Sequence, residues 1–398
     1  MSDTKTIAAK CRDINTELKS ELVEREVEID LLIRSIVAKV NLLLIGDPGT
    51  GKSLAINSFM SHVEGATLFE LLLAKDTPTE QVLGPVSLAA LERDEFQRIT
   101  KGKLPEAHLG FLDEIFKANS TVLNALLKLI NERRFDNNGH SMDVPLWSVL
   151  GGSNELPGSD RDDLRAFRDR FGITKIVEHV RTSDGLTQVI EGQLTRNQGG
   201  TVASNHTSLT VAEIETIQAA SAQVTVPAKV VKALTELRAR AESEDLRISV
   251  RRMFEGVKMM QAAAVLSDRT EVTTEDMRVY EHVLWTDPDD TGKSYELTLE
   301  YAGAVAKKAA KLKGEFEEQQ RALNDLQSEM PTDGSVPETE LMGNIGRVSN
   351  MLKKLDERVT SAIDTANEDG HDTGDLENVK GDVEAARESV KKLLGIGS

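Results

Sequence analysis

The sequence is poor in cysteine, in aromatic side chains and in positive charge, and each shortage narrows what the protein can be. A single cysteine, Cys11, leaves no internal disulfide and suits a reducing compartment. It reads as an ordinary small side chain on an N-terminal helix. Aromatics are 4% of the 398 residues against 39% apolar, so the expected cores are aliphatic and helix-rich. With 48 Lys and Arg against 66 Asp and Glu, the formal net charge is −18. That balance disfavours a nucleic-acid-coating protein, which carries a basic face, though it is compatible with a local basic pore. No window of about 20 apolar residues exists, so no membrane-spanning helix is expected. The N-terminal "MSDTKTIAAKCRDINTELKS" mixes charge throughout and lacks the apolar centre of a signal peptide. A soluble, cytoplasmic chain of two or three domains is the expectation.

What is present is ordered along the chain. Residues 1–38 carry helical periodicity from Ile7 to Ile36. From residue 39 to 180, short β runs alternate with helical patterns: "NLLLI", "TLFELLL", "HLGFLD", "LWSVLGGSN" and "ITKIV". That alternation predicts an α/β core with a parallel sheet covered on both faces. Asn138-Gly139 in "DNNGHSMDV" predicts a β-hairpin interrupting it. Residues 181–225, with "RNQGGTVASNHTS", read as a linker holding a short helix, and residues 226–290 as a small all-α domain. "TTED" fits a capping box opening the last helix of that domain. Residues 291–398 read as an acidic helical tail in which "ELTLEYAGAVAKKAAKLKGEFEEQQRALNDL" forms one long helix. "PTDGSVPE" breaks the tail, and two amphipathic helices follow. A helical hairpin or three-helix bundle is expected there, with a coiled coil joining subunits as the alternative.

The chemistry starts at "LLLIGDPGTGKS". Gly46, Gly51, Lys52 and Ser53 complete the phosphate-loop pattern across Gly46, Asp47, Pro48, Gly49, Thr50, Gly51, Lys52, Ser53 and Leu54. Glycines let successive backbone N–H groups turn inward as an anion nest, and the following helix aims its positive end at the same phosphates. Lys52 would neutralise the β and γ oxygens, and the Ser53 hydroxyl would hold Mg²⁺. A strand before the loop and a helical pattern after it meet the context this motif needs.

The second motif chooses among nucleotide chemistries. "HLGFLDEIFKAN" is an apolar strand ending in Asp113 and Glu114. The first carboxylate can coordinate Mg²⁺ and the second can orient or deprotonate an attacking water. A kinase must exclude that water, so the pair favours ATP hydrolysis, and the guanine-reading Asn-Lys-x-Asp of GTPases is absent.

With these motifs in order, the chain resembles the AAA+ superfamily, and within it the MoxR family and its RavA-like branch. "LFELLLAKDTPTEQVLGPVSLAAL" before "LPEAHLGFLDEIFKANSTVLNALLKLINERRF", then "SVLGGSNELP", "LRAFRDRFGI" and "RISVRRMFEGVKMMQAA", carry the likeness over roughly residues 10–290. The resemblance implies a P-loop NTPase core followed by an all-α lid. It implies that Asn154 positions the water or senses the γ-phosphate, and that Arg170 is an arginine finger acting on a neighbouring subunit's ATP. Arg251 would be the lid's sensor arginine. Arg168 and Arg252 stand as alternatives for the two arginines. Adenine is expected near "ELVEREVEI", with Val23 or a neighbour against the ring. The likeness further implies ATP and Mg²⁺ as cofactors, a homo-oligomer that is usually a hexameric ring, and a protein client or a von Willebrand A domain partner. The β-rich insertion of a full RavA protein has no counterpart after about Leu284. The expected function is an ATPase that remodels or matures a protein complex. A nucleic-acid translocating motor and a slow nucleotide-gated scaffold acting through its tail are the alternatives.

Overall fold

The computed structural model describes residues 2–157, 162–197, 206–328, 330, 339–368 and 373–394. They form two compact units: residues 1–272 with 279–295, and residues 273–278 with 296–398.

In the first unit the N-terminal periodicity resolves into two helices, α1 (Ser2–Glu21) and α2 (Glu26–Ala38). Glu24, at φ 56°, turns the chain between them. Apolar positions at three- and four-residue steps bury Ile7, Ile14 and Leu18 on α1, and Ile29, Leu32, Ile33 and Ile36 on α2. Each fully buried aliphatic contributes ~1.5–3 kcal/mol.

Every expected strand forms. They are β1 (Leu42–Ile45), β2 (Leu68–Leu72), β3 (Leu109–Asp113), the hairpin strands β4 (Arg134–Asn137) and β5 (His140–Asp143), β6 (Ser148–Ser153) and β7 (Ile173–Ile176). Five make one parallel sheet in the order β2-β3-β6-β1-β7. Leu42 pairs with Leu150 on one side and Ile173 on the other. β1 and β6 are buried along their whole length, which is why they read as unbroken small and aliphatic runs rather than alternating ones. The β4–β5 hairpin turns at Asn138 and Gly139, with φ of 52° and 76°, the left-handed pair of a type I′ turn.

Helix α3 (Lys52–Ser61) follows β1 and α4 (Ser120–Glu132) follows β3. The Asn119 side chain caps α4 by accepting from Val122 N, and Val122, Leu123, Leu126, Leu129 and Ile130 form its buried stripe. Next come α5 (Asp162–Arg168), α6 (Ser183–Asn197), α7 (Val211–Ser221), α8 (Ala228–Ser243) and α9 (Val250–Leu266). The segment read as a linker is thus mostly helical. Thr210 and Glu213 close a reciprocal capping box that starts α7, a local signal the polar composition masked. Residues 198–205, the centre of the expected linker, lie outside the described residues.

The second unit is helical. α10 (Thr291–Tyr301) leads into it, and α11 (Ala304–Ser328), α12 (Thr339–Glu368) and α13 (Gly374–Leu393) pack mutually as a three-helix bundle. Leu312, Leu323, Ile345, Leu352, Val359, Val383 and Val390 fill its centre. The single long helix expected through residues 296–326 is broken at Ala302–Gly303. The Glu275 carboxylate accepts from Val305 N (3.1 Å) and Ala306 N (2.9 Å), capping α11 from a distant segment. A Cβ on Gly303 would lie 1.7 Å from Glu275 Oε1, so only glycine leaves room for the cap. "TTED" opens a 3₁₀ helix (Glu275–His282) in place of the expected α-helix, because Glu275 is drawn to α11 while Asp276 takes the Thr273 N–H at 2.7 Å. The breaker "PTDGSVPE" falls in residues 331–338, outside the described residues.

Candidate nucleotide site

The phosphate loop leaves β1 at Gly46, whose N–H donates to Ser153 O at 2.9 Å. A Cβ there would stand 2.3 Å from Val177 O, so the loop passes too close to β7's exit for any other residue. Gly49 and Gly51 have φ of 82° and 85°, open to glycine without strain, and Gly51 is the cap of α3. Thr50 Oγ1 donates to Asp47 O at 2.9 Å, closing the loop on itself. Asp47, Pro48 and Gly49 are exposed at the loop's tip, and Leu54 lies partly exposed on α3. The fold therefore supplies a nest and a ten-residue helix start at one point.

Lys52 is buried, and its Nζ donates to Gly46 O and to Asp47 O, the latter at 3.1 Å. Burial holds its pKa below the usual lysine value, opposed by the carboxylates of Asp113, Glu114 and Asp47. Loop lysine and paired acids thus act on one another, as a shared phosphate site requires.

The acids are separated from β1 by one strand. β6 lies between β1 and β3, so its tip sits between the loop and the Asp-Glu pair. Asp113 Oδ1 accepts from Glu114 N at 3.0 Å. It occupies the space a side chain on Gly152 would need: a Cβ there would lie 2.3 Å from that oxygen. Glu114 is left-handed at φ 53°, an uncommon conformation for a non-glycine residue and a frequent mark of functional sites. Its Oε1 accepts from Asn154 Nδ2 at 2.7 Å, and Lys117 Nζ lies 3.3 Å from Oε2 without hydrogen-bond geometry. The structure thus brings Lys52, Asp113, Glu114 and Asn154 together.

Among the described residues, no group of three or more His, Cys, Asp or Glu side chains could hold a metal ion by itself. Ser53 at the start of α3 and Asp113 fit a hard cation that keeps its waters and binds mainly through phosphate.

Val23 lies half-buried in the break between α1 and α2, and its neighbour Arg25 proves to be the organiser of this region. Arg25 is buried, with Nε donating to Thr50 O at 3.0 Å and a terminal nitrogen to Glu178 O at 2.7 Å. Glu24 accepts from Arg181 N, Thr182 N and Thr182 Oγ1. Burial alone would raise the Glu24 pKa, but these bonds and Arg25 outweigh it and hold it low. Sequence reasoning missed Arg25, because its partners lie 25 and 153 positions away; only a charge inside a helix break hinted at it.

The two arginines implied by the resemblance stand elsewhere. Arg170 O accepts from Asn41 Nδ2 at 3.0 Å, one residue before β1 begins. At ~3.3 Å per residue, this is about 16 Å down the strand from Gly46. Arg251 sits at the same end: a terminal nitrogen lies 3.7 Å from Asp169 Oδ2, and Arg170 approaches that oxygen to 3.6 Å. Ser249, the cap of α9, donates to Asp169 Oδ1 at 2.7 Å, tying helix start and finger segment together. The alternatives are occupied otherwise. Arg168 bonds Thr286 O and stacks 5.6 Å from the Trp285 ring. Arg252 is buried and donates to Trp285 O at 3.2 Å. Burial, more than any neighbouring charge, pulls both of these pKa values down to about 10. No helix among the described residues is long and apolar enough to cross a membrane.

Residues 9–219 match the profile of the MoxR domain in the MoxR-vWA-beta-propeller ternary systems, and residues 229–296 match that of the AAA lid domain. The chain is 35% identical over 312 residues to an uncharacterized protein of Methanocaldococcus jannaschii, covering 77% of this chain and 79% of that one. It is 27% identical over 157 residues to the chaperone MoxR1 of Mycobacterium tuberculosis, covering 39% and 41% of the two chains. Its fold is shared with a crystal structure of a Cytophaga hutchinsonii protein at 17% identity and a TM-score of 0.60, covering 76% of this chain and 97% of that one.

Proposed function

Because the chain belongs to the MoxR family of AAA+ ATPases, we propose that it hydrolyses ATP in a ring of identical subunits and spends that energy rearranging a protein complex. The observation that carries this reading is the split of the site. Lys52, Asp113, Glu114 and Asn154 gather at the C-terminal end of the sheet, and Arg170 and Arg251 gather at its N-terminal end. No arginine side chain spans that gap, so neither can touch its own chain's phosphates. A second copy presenting its Arg170 end to this loop completes the set.

On this reading the loop N–H groups and Lys52 hold the β- and γ-phosphates, and Ser53 and Asp113 would hold Mg²⁺. The cation would supply charge neutralisation between phosphates. Asn154 fixes the Glu114 carboxylate, and Glu114 takes the proton from the attacking water. The neighbour's Arg170 and Arg251 stabilise charge developing on the γ-phosphate, a contribution of several kcal/mol in such sites. Glu24, Arg25 and Val23 line the side where adenine enters. A hexameric ring, a von Willebrand A domain partner and a protein client are part of the proposal; the matched profile's description supports the von Willebrand A partner, and the chaperone relative supports the protein client. The RavA-like placement rests on the Thr77-Pro78 to Gly84-Pro85 segment before the Asp-Glu strand and is retained in it.

Complementation tests the split. Arg170→Ala and Lys52→Ala proteins should each be inactive, and mixing them should restore part of the ATPase rate. Absence of rescue in demonstrably mixed rings removes the trans assignment.

A further inference from the structure

Helix α6 has almost no inside. Among its residues with described side chains, Gly185 alone is buried. Leu186, Ile190 and Leu194, at four-residue steps, are 54%, 50% and 54% exposed and form one apolar stripe. A helix of this length is marginal in water without a packed face, so the stripe calls for a cover. The start of α6 is tied to the nucleotide side of the molecule, since Thr182 is held by Glu24 and the adjacent Arg25 holds the loop at Thr50.

At the other end of the sheet, Val250 and Phe254 lie one turn apart on α9, 65% and 58% exposed, on either side of Arg251 in sequence. Lys258 Nζ lies 5.5 Å from the Phe254 ring. The first patch begins at Leu186, whose N–H donates to Thr182 O at 3.0 Å on the nucleotide side, and the second flanks Arg251 in sequence.

We propose that the Leu186–Ile190–Leu194 stripe of one protomer packs against Val250 and Phe254 of a second copy, forming the seam that brings Arg170 and Arg251 to the neighbour's phosphate loop. This rests on the trans reading above. A second copy is the occupant because the site is incomplete without one, the stripe starts from the segment tied to the phosphate loop, and the other patch flanks Arg251. Like-charged chains with a net −18 each also gain no general charge attraction on self-association, which leaves apolar burial to hold the contact. The seam joins two different patches, so it is head-to-tail and propagates around a ring.

Engineered cysteines read this geometry directly, because the native Cys11 is buried. A double variant, Ile190→Cys with Phe254→Cys, treated with copper phenanthroline in the presence of ATP, should give a ladder of multimers on a non-reducing gel. Each disulfide forms from two thiols, with both electrons passing to the oxidant. Either single variant should stay monomeric on the same gel. Self-crosslinking of Ile190→Cys alone overturns the proposal, and so does a missing ladder from protein that sediments as a ring. In a second arm, Leu186→Glu with Ile190→Glu should keep ATP binding, lose the ring and lose at least tenfold in ATPase rate; rings with wild-type activity refute the seam. Rescue in the Arg170→Ala and Lys52→Ala mixture without a ladder disproves the seam and leaves the finger standing. A ladder without rescue does the reverse.

Discussion

Gly152→Ala puts the site's construction to a test that involves no charged residue. The added methyl would sit 2.3 Å from Asp113 Oδ1, against about 3.4 Å for an ordinary carbon–oxygen contact, so one group must move by about 1 Å. Gly152 lies in a strand paired on both sides and cannot shift, which leaves the Asp113 side chain to rotate. Rotation breaks its bond from Glu114 N, worth about 0.5–1.5 kcal/mol, and forces a poor rotamer at a similar cost. The expected destabilisation is about 1–3 kcal/mol, read as a drop in urea midpoint at unchanged slope. ATP turnover should fall far more, by about a hundredfold or ~2.7 kcal/mol, because the carboxylate assigned to Mg²⁺ has left its place. Gly151→Ala is the control. Its Cβ would meet Phe171 Cε1 at 3.0 Å and Leu43 Cδ1 at 3.1 Å, side-chain ends that can yield, so it should cost stability while keeping most of the turnover. Wild-type turnover in Gly152→Ala would refute the placement of Asp113.

Other outcomes follow from the same contacts. Glu114→Gln should bind ATP with near-native affinity but lose turnover by at least a hundredfold; undiminished single-turnover hydrolysis would end its assignment as the base. Asn154→Ala should release Glu114 Oε1 and lower kcat more than tenfold with little change in ATP binding, measured by separate titration and rate assays. Arg25→Met leaves Thr50 O and Glu178 O without their buried donor, at about 2–3 kcal/mol; calorimetry should show a lower Tm and weaker ATP binding together. Burial pushes the Cys11 thiol up to about 12 from its ordinary 9.0, so the folded chain keeps a proton that the unfolded chain gives up. That contribution to stability is complete below pH 9 and is lost as pH rises towards 12, and Cys11→Ala should flatten this part of the stability–pH curve.

The parts that were legible in the sequence depend on neighbours along the chain. The loop glycines, the apolar strand ending in Asp113-Glu114 and the Asn138-Gly139 turn each declare their geometry within a dozen residues. What stayed hidden depends on remote partners. The segment around Gly303 reads as one continuous helix, which stops there because the Glu275 carboxylate occupies the space a side chain would need. Nothing local in "LWSVLGGSN" shows that Gly152 on β6 must stay bare to leave room for Asp113, 39 residues earlier in the chain. Position alone does not tell Arg168 and Arg252 from Arg170 and Arg251; that the first two bond the Thr286 and Trp285 carbonyls depends on a segment more than thirty residues further on.

The distance between Arg170 and its own phosphate loop also bears on dosage. If half of each site is lent by the next molecule, a lone protomer holds nucleotide without spending it, and rate per molecule climbs with the amount of protein present. Dilution then acts as a brake that needs no inhibitor. Because identical chains of net −18 repel one another, added salt weakens that brake by screening the repulsion while leaving apolar contacts intact. Cellular abundance and ionic strength thereby become inputs to the machine.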